Sequence, residues 1–184
     1  APGPVLWTKP DVPKWRECLV GRPRLVGRMR RGAKSKLTLV SAPAGFGKTT
    51  LLAEWLAAAP AGAPSVAWLS LDPGDNELVA FWTHVIAALQ TVASEVEARA
   101  LSLLQPPRPP AIETVLAPLL NEISAWANAI VLVLDDSHVV DLLALQGGMS
   151  FLLWHLTRQL DVVVARRAHQ RLLLPLLRTR AGLA

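Results

Sequence analysis

The sequence predicts an α/β fold in which a mostly parallel sheet lies between two layers of helices. Short apolar or β-branched runs alternate along the 184-residue chain with longer segments whose apolar residues have helical spacing. The run at residues 129–134 is wholly apolar, as expected for a strand that is buried on both faces. This alternation indicates a parallel, three-layer arrangement, because successive parallel strands need a crossover connection, which is usually a helix.

Each element has a local signal in the sequence. Residues 1–17 contain four prolines and are predicted to be an extended arm, followed by one domain at residues 18–184. Strands are predicted at residues 37–41, 66–71, 129–134 and 161–165. Helices are predicted at residues 48–59 and at residues 111–127. Another is predicted to be capped by Asp75 or Asn76 and to end at about Val92. The capping box Ser94-x-x-Glu97 predicts the start of a further helix. A further helical stretch is interrupted by Gln146-Gly147-Gly148-Met149.

A glycine-containing loop follows the first predicted strand and opens the next helix. It matches the phosphate-binding pattern G-x-x-x-x-G-K-[ST], the P-loop or Walker A motif, except that Ala42 replaces the first glycine. Gly45 and Gly47 allow the backbone to wrap around phosphate oxygens, and the helix N-terminus favours an anion. Lys48 is predicted to contact the β- and γ-phosphates, and Thr49 to ligate Mg²⁺. The predicted nucleotide-binding set is Ala42, Pro43, Ala44, Gly45, Phe46, Gly47, Lys48, Thr49 and Thr50.

An acidic pair, Asp135 and Asp136, ends the wholly apolar run. Carboxylates at the C-terminal end of a parallel strand lie at the edge of the sheet where α/β folds bind their ligands. We predict that Asp135, the Walker B position, holds Mg²⁺ directly or through water, and that Asp136 orients or deprotonates the attacking water. The alternative is that the pair caps the next helix. The predicted cofactors are therefore ATP or ADP and Mg²⁺.

These motifs resemble the nucleotide-binding domain of MalT-like regulators, which are ATP-dependent transcriptional activators of the LuxR type within the STAND class of signalling NTPases. Ala42 is itself the residue that this family's loop carries at that position. The resemblance implies a P-loop NTPase fold with strand order five-one-four-three-two. In this sequence no convincing fifth strand is predicted before Ala184, so the sheet is expected to lack its last strand. It is carried by residues 36–52, 66–72, 75–76, 81–82, 85–90 and 132–138.

The same resemblance assigns a catalytic role to Arg167 and names the expected partners. Arg167 matches an arginine that looks like a sensor of the γ-phosphate in this class, whereas His169 and Gln170 replace the family's Asp-Pro. Regulators of this kind also carry a winged helix, a helical sensor array and a DNA-reading helix-turn-helix. The resemblance therefore implies that other domains or protomers of a regulator are partners of this chain.

Composition limits the other classes of function. The single Cys18 excludes an internal disulfide, so we expect a cytoplasmic chain. Prolines and a glycine break the uncharged stretch from Trp55 to Leu71, so we expect no membrane contact. Most of the tryptophans are expected in the core, and His84 is expected to be packed there. We expect no direct DNA contact, because no aromatic interleaving or zinc-ligand spacing accompanies the basic cluster Arg22, Arg24, Arg28, Arg30, Arg31, Lys34 and Lys36.

The function predicted from these observations is an ATP-binding nucleotide switch of a transcriptional regulator, with slow or absent hydrolysis. Two alternatives stay open at this point. One is a small-molecule kinase of the P-loop type, although the proline-rich segment 106–110 does not suit the lid that such an enzyme needs. The other is a degenerate nucleotide-binding interaction module without catalysis, which the altered segment after Arg167 favours.

Overall fold

Four parallel strands form one sheet in a computed structural model of the chain, which describes residues 13, 21–32, 35–94, 98–104, 110–137, 140 and 145–167. The spatial order is β1-β4-β3-β2, and every pairing is parallel. The predicted α/β class is confirmed, and the order of these four strands is the predicted one. The strands are β1 (Leu37–Ser41), β2 (Ser65–Ser70), β3 (Ile130–Asp135) and β4 (Leu160–Arg166).

Six helices connect and cover these strands in the described part of the chain. They are α1 (Pro23–Gly32), α2 (Lys48–Ala57), α3 (Leu78–Gln90), α4 (Ala98–Leu103), α5 (Ile112–Ala125) and α6 (Gln146–Trp154). The predicted boundaries of the strands, of α2 and of α5 agree with these to within two residues, whereas α1 was not predicted. Apart from Pro13, the predicted arm lies outside the described residues, as do Glu97 of the capping box and all residues after Arg167.

Alternate side chains of the strands face two separate apolar clusters, one on each side of the sheet. The sheet is therefore the middle layer between two layers of helices. On one face, Leu132 and Val164 pack with α3, α5 and α6. On the other face, Val133 and Val163 pack against α1 and α2. Both faces of β3 are buried along its whole length, as the wholly apolar run predicted. No helix in the described part of the chain is long and apolar enough to cross a membrane.

The predicted cap of α3 is wrong. Glu77, not Asp75 or Asn76, is the N-cap residue of α3. Asp72 caps a separate 3₁₀ turn, Pro73–Asn76, that precedes α3. The reason is Pro73, which fixes φ at the first position of that turn and starts it early. Asp75 is instead fully buried, accepts the N–H of Asp72 at 2.8 Å, and lies 2.7 Å from Nδ1 of His84. His84 is therefore packed in the structure, as predicted.

The glycine pair does not interrupt α6 but lies within its first turn. A Cβ at Gly148 would lie 2.5 Å from Cζ2 of Trp82, an approach that ordinary side chains cannot make. Gly148 therefore allows the fully buried indole of Trp82 to pack against the helix backbone. Trp68 and Trp55 are also buried, as expected, whereas Trp154 is 51% exposed and does not belong to the core.

Strand β1 is expected to exchange its amide hydrogens faster than β3 in the protein without nucleotide. Among the described residues β1 pairs only with β4 and is half-buried, whereas β3 is buried between two neighbours. Because the candidate site is attached to β1, ATP is expected to slow exchange there. Hydrogen–deuterium exchange measured by mass spectrometry on residues 37–41 and 130–134 tests this. Equal, strong protection of both strands without nucleotide would contradict it.

Candidate functional site

The loop between β1 and α2 has the backbone conformation that its glycines predicted. Gly45 and Gly47 have φ angles of 76° and 70°, in the left-handed region that residues with a Cβ adopt only at a cost. Gly47 is the N-cap of α2, and its carbonyl accepts the N–H of Leu51 at 2.9 Å. The N–H groups of the first turn of α2 have no acceptor within the helix, so this end of the helix can receive an anion. We call residues 42–49 the phosphate loop.

Lys48 crosses the phosphate loop and joins its two ends. Its Nζ donates hydrogen bonds to the carbonyl oxygens of Ala42 and Pro43, each at 3.1 Å. The side chain is buried, with 9% of the residue exposed, so its charge acts where water screens it little. An ammonium carries three donors, so a third hydrogen bond can be made to an anion. Lys48 thus lies where the sequence predicted a phosphate-binding cation.

Thr49 and Asp135, which are far apart in the sequence, meet in the structure. Oγ1 of Thr49 donates a hydrogen bond to Oδ2 of Asp135 at 2.6 Å, which joins the first turn of α2 to the end of β3. The other carboxylate oxygen accepts the N–H of Asp136 at 2.9 Å. Parallel pairing of the strands explains the contact, because it brings the carboxyl ends of β1, β4 and β3 to one edge of the sheet. The two residues predicted to hold the metal are therefore in contact.

The carboxylate of Asp135 is held in an environment that disfavours its charge. Only 2% of the residue is exposed, and this burial raises the pKa of Asp135, to which the nearby charge of Asp136 adds. The hydrogen bonds from Thr49 and from the N–H of Asp136, and the charge of Lys48, oppose the increase. A divalent cation beside the carboxylate would relieve this cost. Hydroxyl and carboxylate oxygens are ligands that Mg²⁺ prefers, and Mg²⁺ usually takes only one or two carboxylates, so this pair fits the ion. No group of three or more His, Cys, Asp or Glu among the described residues could hold a metal.

Asp136 begins the turn that leaves β3. It is exposed and has a φ of 53°, a left-handed conformation that is rare for residues other than glycine but tolerated by aspartate. The following Ser137 is buried, and its hydroxyl donates to the carbonyl of Ala165 at 2.8 Å, which fastens the turn to β4. The pair does not cap α6, which begins at Gln146 after Leu145, and residues 138–139 and 141–144 between them lie outside the described part of the chain.

Two arginines lie where β4 ends. Arg167, the predicted sensor residue, follows the strand directly and is exposed at the edge of the sheet from which the phosphate loop leaves β1. Arg166 is buried, which lowers the pKa of its guanidinium, and its carbonyl accepts the N–H of Ala42 at 3.3 Å. The end of β4 therefore contacts the start of the phosphate loop. His138, His169 and Gln170 lie outside the described residues.

The sequence did not predict that Arg22 contacts this site. Nη1 of Arg22 donates a hydrogen bond to the carbonyl of Phe46 at 2.7 Å, within the phosphate loop. The sequence analysis grouped this residue with a basic cluster, because its charge was the only signal that the sequence carried. The contact joins residues 24 positions apart through the packing of α1 on α2, which no local pattern reports.

Comparisons with known proteins show the family to which the chain belongs. A family model described as an AAA ATPase domain matches residues 24–176. The chain is 32% identical over 151 residues to the HTH-type transcriptional regulator MalT of Klebsiella pneumoniae, covering 82% of this chain and 16% of that protein. It is 33% identical over 167 residues to MalT of Cronobacter sakazakii, covering 91% of this chain and 18% of that protein.

A solved structure resembles the fold as well. The Walker-type ATPase PABY2304 of Pyrococcus abyssi matches with a TM-score of 0.59 and 16% identity, over 92% of this chain and 51% of that chain. At this identity the likeness supports the fold alone. The predicted resemblance to MalT-like regulators is confirmed, although the chain spans only 16% and 18% of the length of the two MalT relatives above.

Proposed function

The chain belongs to the AAA ATPase domain family, and on that premise we propose that it is an ATP-binding, Mg²⁺-dependent nucleotide switch of a MalT-like transcriptional regulator. One observation carries the proposal, namely the 2.6 Å hydrogen bond between Thr49 and Asp135. It joins the phosphate loop to the acidic end of β3, and the buried Lys48 lies in the same loop. A chance Gly-Lys-Thr turn would have no reason to contact a buried carboxylate 86 residues away.

Binding of the phosphates is assigned to the phosphate loop and to Thr50. The N–H groups of the loop and of the first turn of α2 donate to phosphate oxygens, and the ammonium of Lys48 neutralises their charge. The side chain of Thr49 and the carboxylate of Asp135 hold Mg²⁺, which would supply positive charge next to the phosphates. The raised pKa of Asp135 supports this assignment, because a buried carboxylate gains most from a neighbouring cation.

Hydrolysis is assigned to Asp136 and Arg167. The exposed carboxylate of Asp136 adjoins the metal-binding position and orients the attacking water, while Arg167 at the end of β4 senses the γ-phosphate. We infer that turnover is slow, because the nucleotide acts by biasing a conformation and hydrolysis resets it. The partners of this switch are the other domains or protomers of a cytoplasmic regulator.

Equilibrium binding of fluorescently labelled ATP and ADP, with and without Mg²⁺, tests the proposal. We expect both nucleotides to bind, Mg²⁺ to strengthen ATP binding, and ADP to accumulate slowly in the presence of Mg²⁺. Asp136→Asn is expected to keep binding and to lose hydrolysis. Absence of binding by the folded protein would refute the switch, and rapid transfer of phosphate to a small-molecule acceptor would favour a kinase. Binding with no hydrolysis over many hours would contradict the inferred slow turnover and would favour the interaction module.

A further inference from the structure

We propose that Arg22 is a positioning residue for the phosphate loop, which it holds at Phe46 and Gly47 from outside the phosphate-binding motif. The inference rests on the proposed function, because a fixed loop is useful only if it receives phosphate. The hydrogen bond from Nη1 of Arg22 to the carbonyl of Phe46 is 2.7 Å long, a short distance typical of a charge-assisted bond.

The guanidinium also lies against the backbone of Gly47. A Cβ at Gly47 would lie 3.3 Å from Nη2, 3.4 Å from Nη1 and 3.6 Å from Cζ of Arg22. All three atoms belong to the planar group, so it packs beside the glycine where α2 begins. The φ of 70° favours glycine at position 47, and a Cβ there would also crowd the guanidinium of Arg22.

Holding the Phe46 carbonyl orients the next N–H group. The peptide group between Phe46 and Gly47 is planar and trans, so the N–H of Gly47 points opposite to the carbonyl that Arg22 binds. Lys48 holds the carbonyls of Ala42 and Pro43 in the same loop. Two cations therefore bind three carbonyl groups of the loop. Pro43 has no N–H, so two of these peptides carry one, and the N–H groups of Ala44 and Gly47 face away from the cations. This arrangement prepares the loop for an anion before the anion arrives.

The backbone of Arg22 is itself fixed. Its N–H donates to Oε1 of Glu54 on α2 at 2.8 Å, and its carbonyl accepts the N–H groups of Leu25 and Val26 at the start of α1. Val26 and Met29 of α1 pack on α2 in one apolar cluster. Because the residue is anchored on both sides, the side chain needs little further ordering to reach the loop. Movement of the N-terminal end of α1 would accordingly be transmitted to the phosphate loop.

The test compares Arg22→Ala with Arg22→Lys and with Arg24→Ala. Arg24 is an exposed residue of α1, and its replacement changes the net charge by the same amount. Hydrogen–deuterium exchange of residues 42–49 is measured in the protein without nucleotide, together with its melting temperature. Binding of ATP and of tripolyphosphate, which lacks the base and the sugar, is measured with Mg²⁺.

We expect Arg22→Ala to speed exchange in the loop and to weaken ATP and tripolyphosphate equally, by about tenfold, with little change in melting temperature. Arg22→Lys, which keeps the positive charge and a donor group but loses the planar fork, should restore part of the affinity. Arg24→Ala should behave like the wild type. Unchanged loop exchange in Arg22→Ala would overturn the proposal. If Arg22→Ala weakened the binding of ATP but not of tripolyphosphate, Arg22 would instead contact the base or the sugar. If Arg24→Ala weakened binding as much as Arg22→Ala, the effect would be one of net charge. If the wild type binds neither probe, the proposed function fails, and loop exchange still decides the role of Arg22.

Discussion

Replacing Lys48 with alanine is expected to weaken ATP binding at least tenfold, or by about 1.4 kcal/mol. The ammonium of Lys48 is buried and bonded to the carbonyls of Ala42 and Pro43, so the variant loses both a charge and the connection between the two ends of the loop. A buried charge interacts with phosphate far more strongly than an exposed one, because little water screens it. Isothermal titration with ATP and Mg²⁺ measures the effect.

Lys36→Ala is the matched control for this prediction. Lys36 precedes the opposite end of β1, where its Nζ lies 2.8 Å from Asp161 and 2.9 Å from the carbonyl of Arg158. Its loss removes the same charge from the chain, together with a surface ion pair that contributes about 1 kcal/mol or less. We expect ATP affinity to stay near that of the wild type in this control. A folded Lys48→Ala variant that binds ATP as the wild type does would remove the basis of the phosphate loop assignment.

The parts of the site that the sequence predicted are those whose signals are local. The phosphate loop is one continuous segment, in which two glycines, a lysine and a threonine must stand at fixed spacing between a strand and a helix. The acidic pair is likewise marked by the apolar run that it ends. That Thr49 meets Asp135 then follows from the parallel topology, since both lie at the carboxyl edge of the sheet. The local sequence patterns and the fold class together were sufficient to predict that these residues lie close together.

The parts that the sequence missed depend on contacts between distant segments. Arg22 reaches Phe46 only because α1 packs on α2, and a cluster of arginines looks the same in a sequence whether or not one of them is bonded. Gly148 appeared to break a helix, because its close approach to Trp82 is a property of the packed core. The Asp75–His84 contact was missed for a different reason, since Pro73 moved the start of the turn and left Asp75 buried.

The burial of Asp135 has a consequence for the stability of the protein without nucleotide. Its raised pKa means that the folded protein binds a proton there more tightly than the unfolded chain does. This contribution to stability is fully present below the unfolded pKa of the group and is lost as the pH rises through the folded pKa. At neutral pH the ionised, buried carboxylate therefore destabilises the protein without nucleotide. Binding of Mg²⁺ with ATP is the event that would offset this cost.

Asp135→Asn is accordingly expected to melt at a higher temperature than the wild type at pH 7 without nucleotide, and to lose the stabilisation that Mg²⁺ adds to ATP. Asparagine carries no charge to bury, and it can still accept the N–H of Asp136 and donate to the hydroxyl of Thr49. Each kcal/mol recovered corresponds to roughly 2–4 °C in a domain of this size. The difference in melting temperature should shrink as the pH falls and the wild-type carboxyl becomes protonated. Thermal denaturation with and without ATP and Mg²⁺ measures both effects.

The neighbouring Asp136→Asn serves as the control, because Asp136 is exposed and its charge is not buried by folding. Without nucleotide we expect its melting temperature to lie much closer to that of the wild type than that of Asp135→Asn does, with a small rise because the charge of Asp136 no longer opposes ionisation of Asp135. Its stabilisation by ATP and Mg²⁺ should be retained. Comparison of the two variants separates burial of a charge from its mere removal. If Asp135→Asn melted lower than the wild type and kept its response to Mg²⁺, Asp135 would be a structural hydrogen-bond acceptor for Thr49 and not the metal-binding residue of the switch.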